Sequence, residues 1–252
     1  VQIKAQEKLS TQENWENVYT DLSRYHDLYL YQEQLVEIIG RQFTDLTAIK
    51  ILEVGCGKGN EIVQLARKGA ACVGLDFSES AMTLMRQRLA KDGLTMPLIR
   101  GDAHNLPLQE NSFDLVFSQG VLEHFAQPDA VLREQWRVLR KGALVVVEVP
   151  NKWTFYTIYK HLLMAVNRWL PGWETQYSPR ELKSLLEKNG FKILDCVGWD
   201  FLILKILRKL RKKMGWRDKP ESPCIRDLRH RLQRNSILLN FFVSITMVGK
   251  KV

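Results

Sequence analysis

Between residues 49 and 150 the chain alternates short apolar runs with stretches whose hydrophobic positions recur at helical spacing. IKILEV (49–54), ACVGLD (71–76), MPLIRGD (96–102), FDLVFSQ (113–119) and ALVVVEVP (143–150) are nearly continuous in hydrophobics. Such runs suit strands buried on both faces, as in a parallel sheet covered by helices. Helices are expected from about Asn60 to Lys68, over 78–93 and around 128–140. SPRELKSLLEKNG (178–190) reads as a capped helix, with Ser178 at the N-cap, Pro179 in the first turn, Glu181 completing a capping box and Gly190 at the end. FKILDCVGW (191–199) and ILLNFFVSITMVGK (237–250) supply two final strands without the usual crossover helix between them, which suits an antiparallel placement. Ahead of this rhythm, residues 12–43 read as helical, with Leu35, Ile38 and Ile39 on one face.

The predicted organisation is an α/β core over 48–150, preceded by a helical segment (1–47). An aromatic helical insertion (151–177), a core helix and strand (178–200), a basic amphipathic insertion (201–236) and a terminal strand (237–252) follow. At 252 residues and 45% hydrophobic, the chain can bury one such core with its embellishments.

Charge sharpens the picture. The formal net charge is +9, and residues 201–234 alone hold twelve Lys/Arg against three Asp/Glu, so the remainder is neutral. A local electrostatic device is expected rather than a generally basic protein. Cys56, Cys72, Cys196 and Cys224 form no CxxC pair and no zinc spacing, which fits a reduced, cytoplasmic protein. The first residues are polar and lack the apolar run of a signal peptide, and no stretch is apolar enough to predict a membrane span.

ILEVGCGKGN (51–60) is a strand entering a glycine turn that opens a helix, with Gly55, Gly57 and Gly59 in a GxGxG pattern. Lys58 is misplaced for a P-loop, and Asn60 stands where a dinucleotide fingerprint needs its third glycine. A cofactor with an adenosine but no phosphate remains. Glu53 supports it, since a carboxylate there would repel a pyrophosphate but can pair with the ammonium of a methionine moiety. Asp76 ends the second strand, where a carboxylate can accept from both ribose hydroxyls. Asp102, after the third strand, can accept from an adenine amino group, and the Ala103 N–H can reach a ring nitrogen. All three acids fall at carboxyl ends of successive strands, where open α/β sheets bind ligands.

Together with VGLDFSESAM, GDAHNLPLQENSFDLVFSQGVLEHF and VLRKGALVVVEVPN, this turn resembles, in order and spacing, the motifs of class I S-adenosylmethionine-dependent methyltransferases of the methyltransferase type 11 kind, over roughly 48–200. The resemblance implies a Rossmann-like seven-stranded sheet in the order 3-2-1-4-5-7-6, strand 7 antiparallel, with helices on both faces and an inserted helical lid. It implies S-adenosylmethionine as cofactor, held by Glu53, Gly55, Cys56, Gly57, Asp76, Phe77, Asp102, Ala103 and Gln119, with Trp15 and Tyr19 capping it.

An activated methyl group needs an acceptor held in line and kept from water. His124, in the segment after the fourth strand, is the candidate base, with Glu123 orienting it or capping the next helix. The chain also resembles the methyltransferases of ubiquinone biosynthesis that O-methylate polyprenyl phenols. Their E-V-L-E-H pattern, associated with a divalent metal, stands here as Gly120-Val121-Leu122-Glu123-His124. The first glutamate is missing, and no metal is expected.

A small or lipid-like acceptor, methylated at oxygen, is the leading expectation. Trp153, Phe155, Tyr156, Tyr159, Trp169 and Trp173 surround an apolar stretch, and Ile203, Leu207, Leu210 and Met214 form an apolar stripe among basic residues. This pattern suits peripheral contact of 151–217 with an anionic membrane, or a lid with solvated charges. Two alternatives are an RNA methyltransferase using the basic 201–234 segment and a cofactor-binding partner without catalysis. Against RNA, QGVL stands where base-amine methylation would call for an Asn/Asp-Pro-Pro-aromatic motif.

Overall fold

The computed structural model describes residues 10–20, 34–165, 174–201 and 223–252. A seven-stranded sheet organises the chain in the order β3-β2-β1-β4-β5-β7-β6. Its strands are β1 (Lys50–Val54), β2 (Ala71–Asp76), β3 (Leu98–Arg100), β4 (Phe113–Gln119), β5 (Leu139–Pro150), β6 (Phe191–Phe201) and β7 (Phe242–Lys251). The first five run parallel, and β7 lies antiparallel between β5 and β6. The helices are α1 (Gln12–Thr20), α2 (Gln34–Gln42), α3 (Ile62–Arg67), α4 (Glu79–Asp92), α5 (Pro128–Val138), α6 (Phe155–Ala165), α7 (Pro179–Lys188) and α8 (Pro223–Gln233).

Strand alternation divides the buried side chains between two cores. Ile51, Leu115, Phe117 and Val146 face α2, α3 and α4 through Leu35, Ile39, Ile62, Leu65, Met85 and Leu89. Leu52, Val116, Val145 and Val147 face α5 and α7 through Val131, Leu132, Leu182 and Leu186. Covering both faces explains why β1 and β4 read as continuous apolar runs.

Local signals set several boundaries. Ser78 accepts from the Ala81 N–H and starts α4. Ser178 and Glu181 form the reciprocal capping box at α7, with Pro179 in its first turn. Other expectations need correction. Residues 237–241 are not strand: a 3-10 turn spans Leu238–Phe241, because Asn235 Oδ1 accepts the N–H groups of Ile237 and Leu238. β5 starts at Leu139, ahead of the apolar run, and a register shift separates its first pairing from the rest. The third strand is only three residues long.

Beyond β5, Thr157 Oγ1 donates to the Asn151 carbonyl, and Asn151 Nδ2 donates to the carbonyls of Leu239 and Phe242. These bonds tie α6 to the start of β7, at the carboxyl edge of the parallel strands. Trp169, Trp173, Ile203, Leu207, Leu210 and Met214 lie outside the described residues.

Candidate cofactor and acceptor site

The turn after β1 is built on glycine for two physical reasons. Gly55 and Gly57 have φ of 72° and 49°, the left-handed region that side chains disfavour. A Cβ at Gly55 would lie 2.4 Å from a Val121 methyl, and one at Gly57 2.6 Å from the Tyr19 hydroxyl. The turn is fastened to β2, since the N–H groups of Gly55 and Cys56 both donate to the Leu75 carbonyl. Cys56 contributes backbone here; its thiol is buried, packs towards Gly74, and is pushed up by that burial and by Glu53 and Asp76.

Asp76 closes the same crevice. Its Oδ2 accepts from the Gly57 N–H at 2.8 Å and its Oδ1 from the Ser78 N–H at 3.0 Å. Burial raises its pKa, and these N–H donors act in the opposite direction. Each oxygen keeps a further lone pair for a ligand hydroxyl. The neighbouring loop is attached through Gly101, whose N–H donates to the Asp76 carbonyl. Asp102 is exposed and accepts from the His104 N–H, while Ala103 is buried. Phe77 and Gln119 are half-buried at the ends of β2 and β4. Gly59 completes the turn by donating to the Cys56 carbonyl.

Glu53 is 2% exposed, and its Oε2 has no hydrogen-bond partner among the described residues. Its carboxyl takes the Ile62 N–H, and burial followed by the charges of Glu61 and Asp76 pushes its pKa well above the carboxylate range. A buried carboxyl oxygen lacking a protein donor, next to a glycine cradle that a Cβ would fill, suits a cofactor carrying both a ribose and an ammonium group.

α1 lies over this crevice. The Glu16 carboxylate accepts from the N–H groups of Glu79 and Ser80, at 2.8 and 3.0 Å, fixing α1 to the first turn of α4. Burial pushes the Glu16 pKa up, but the combined bonds from Ser80, Glu79 and Ser78 outweigh it and hold Glu16 down to about 2. Trp15 and Tyr19 thereby face the site: the Tyr19 hydroxyl meets Gly57, and Trp15 meets the His124 ring edge-on at 4.9 Å.

His124 sits in a 3-10 turn (Leu122–His124) leading out of β4, and its N–H donates to the carbonyl of Val121, the residue packed on Gly55. Glu123 does not cap α5, whose N-cap is Gln127. Its carboxyl is buried 4.0 Å from His124 Nε2, too far for a hydrogen bond. Burial, then the charge of Glu174, drives the Glu123 pKa well up.

Sequence reasoning missed a buried ion pair beside this turn. Lys160 of α6 and Glu174 are 0% and 2% exposed, with Nζ and Oε2 2.5 Å apart. The adjoining Thr175 N–H donates to the Glu123 carbonyl at 2.7 Å, tying the insertion to the turn that carries His124. A lysine within the apolar stretch YKHLLM was the available signal. Among the described residues, no group of His, Cys, Asp and Glu could hold a metal ion.

Comparison with known proteins agrees with this geometry. Residues 52–147 match the family model described as a methyltransferase domain. The fold superposes on that of an S-adenosylmethionine-dependent methyltransferase from Thermotoga maritima with a TM-score of 0.66 at 19% identity, covering 96% of this chain and 99% of that one. The chain belongs to the S-adenosylmethionine-dependent methyltransferases, and S-adenosylmethionine is its cofactor.

Among curated relatives, the ubiquinone biosynthesis O-methyltransferase of Sinorhizobium fredii is 31% identical over 175 residues, 67% of this chain and 70% of that protein. The protein of the same name from Bartonella tribocorum is 29% identical over 158 residues, 60% of this chain. The match spans 63% of the Bartonella protein, less than two thirds of its length.

Proposed function

We propose that this methyltransferase acts on a hydroxyl oxygen of a small, largely apolar acceptor, with His124 as general base. The observation that carries the reading is the position of His124. It is bonded to Val121, which packs on Gly55 of the cofactor turn, and it lies under Trp15 of the covering helix. S-adenosylmethionine supplies an activated methyl group when bound. Glu53 would hold its ammonium, Asp76 its ribose, and Asp102 and Ala103 its adenine. The residues of this chain then have two tasks, excluding water and taking the acceptor's proton. Trp15, Tyr19 and α1 serve the first. His124 serves the second, receiving the hydroxyl proton as the oxygen forms its bond to the methyl carbon and the carbon–sulfur bond breaks.

The surroundings suit an apolar acceptor. Trp153, Ile158 and Leu162 are 64%, 59% and 63% exposed, beside the carboxyl edge of the sheet. Large apolar side chains left in water at a site's margin favour a lipid-like ligand or an anionic membrane surface near 151–217. The names of the two relatives point the same way. The RNA reading gains less support, because basic residues around α8 make internal contacts. Arg234 forms a two-oxygen pair with Asp195, and His230 meets Arg41 and Glu37. No helix among the described residues is long and apolar enough to cross a membrane.

His124→Ala is expected to retain cofactor affinity within about twofold and to lower methyl transfer by roughly 10²–10⁴-fold, the usual contribution of a positioned base. Calorimetric titration with S-adenosylmethionine and transfer of a labelled methyl group into a membrane-lipid extract check both halves. Transfer unchanged in the variant would remove His124 from the chemistry.

A further inference from the structure

The loop after β3 is fixed at both ends and leaves one side chain to be aimed. At its start the Gly101 N–H donates to the Asp76 carbonyl of β2. At its end the Leu106 N–H donates to Glu134 Oε2 of α5 at 2.8 Å, and Arg137 Nη2 of the same helix donates to the Leu106 carbonyl at 2.9 Å. Between these anchors the Asn105 N–H donates to the Asp102 carbonyl at 3.1 Å, and Ala103 is buried. The backbone is therefore set, while the Asp102 side chain is 65% exposed and stands largely in water.

Two donors from one residue set the direction of that side chain. Asp102 Oδ1 accepts from the His104 backbone N–H at 2.9 Å and lies 2.9 Å from His104 Nδ1. A carboxylate oxygen can only accept, so Nδ1 carries the proton in this contact. One N–H alone would let the carboxyl group turn about its bond and exchange its two oxygens. A second donor, arriving from the ring, fixes the carboxyl plane and commits Oδ1. Among the described residues no donor reaches Oδ2, which keeps its lone pairs for a ligand.

The His104 ring is itself braced. Phe125 meets it edge-on, with centroids 4.6 Å apart and planes at 90°. Phe125 packs on the core that holds α5, and its N–H donates to the Leu122 carbonyl, closing the turn that carries His124.

We infer that His104 is a positioning residue for adenine recognition: braced by Phe125, it holds Asp102 by Oδ1 and presents Oδ2 to the purine amino group. The inference rests on Asp102 as the partner of that amino group. Its physical content is preorganisation. A carboxylate free to rotate must be ordered when the purine binds, whereas one already held loses little freedom. A hydrogen bond from the amino group to a charged oxygen is of the stronger kind, so misaiming that oxygen forfeits affinity. Position 104 thus sets how sharply the site distinguishes a purine with the amino group from one without it. Contacts to the ribose and the ammonium do not depend on it.

Calorimetric titration with S-adenosylhomocysteine and with its 6-deamino analogue, in which hydrogen replaces the purine amino group, reads this preference directly. Wild type is expected to prefer S-adenosylhomocysteine by roughly 10–10²-fold. Asp102→Ala is expected to bind both ligands alike. His104→Phe keeps an aromatic ring against Phe125 and loses the donor. It is expected to lower the preference about three- to tenfold, wholly through weaker binding of S-adenosylhomocysteine, with the deamino analogue unchanged within about twofold. His104→Asn places an amide donor near the position of Nδ1 and is expected to keep the wild-type preference within about twofold. An unchanged preference in His104→Phe overturns the inference, while its loss in Asp102→Ala still marks the amino contact. Equal weakening of both ligands in His104→Phe also overturns it, since a merely loosened loop would do that. A preference that survives Asp102→Ala would instead remove Asp102 from the adenine site, and this proposal with it.

Discussion

Asp76→Ala is expected to weaken S-adenosylmethionine binding by roughly 10²–10³-fold, the largest loss of cofactor affinity expected from a single substitution in the site. Two contributions add. A ribose held by one carboxylate makes two charge-assisted hydrogen bonds, each worth about 1.5–3 kcal/mol, and about 1.4 kcal/mol is a factor of ten in affinity. The same carboxylate also accepts the N–H groups of Gly57 and Ser78. Its removal leaves these donors without their acceptor and loosens the glycine turn. Asp76→Asn keeps one acceptor oxygen and is expected to fall between wild type and Ala. Fluorescence or calorimetric titration measures the loss. An affinity for Asp76→Ala within threefold of wild type would place the ribose elsewhere.

The second large effect concerns stability. Lys160→Met is expected to destabilise the fold by about 3–5 kcal/mol, because it removes the buried ammonium bonded to the Glu174 carboxylate. For a chain of this size that is a fall in Tm of roughly 10 °C. Removing both charges in Lys160→Met/Glu174→Leu is expected to recover most of the loss, since a buried ion pair is costly to break but not to replace. Thermal unfolding of the single and double variants decides this. A double variant no more stable than the single would mean that the pair's value lies in its geometry. Because Thr175 is bonded to Glu123, the single variant should also disturb the turn that carries His124.

Much of this architecture is legible in the chain because its determinants are local. The glycine turn announces itself by spacing, Ser178 and Glu181 form the capping box that their separation implies, and Ser78 rather than Asp76 caps α4. The strand rhythm survives because both faces of the sheet are covered. Errors arise where local chemistry competes with an apolar run. ILLNF has strand-like composition, yet Asn235 captures two backbone N–H groups and winds the segment into a 3-10 turn. Only Leu239 then turns inward, while Ile237 and Phe241 stay 71% and 56% exposed.

The site is half legible for a similar reason. Glu53, Asp76 and Asp102 stand at strand ends, so their shared edge follows from the parallel sheet. Pairings between distant segments carry no local mark. Glu16 could not be assigned to the first turn of α4, nor Lys160 to Glu174, without the fold. Glu148, like Lys160, left a trace, as a single acid inside VVVEVP. Its partner Thr246 comes from the middle of the antiparallel strand β7, within another apolar run.

The most direct test of the whole account is where a labelled methyl group goes. The purified chain, methyl-labelled S-adenosylmethionine and an extract of its source cells would be incubated and separated into organic, acid-precipitable and aqueous fractions. The account predicts label in the organic fraction, abolished by Asp76→Ala and sharply reduced by His124→Ala. Label confined to a nuclease-sensitive precipitate, or transfer that survives Asp76→Ala, would contradict it.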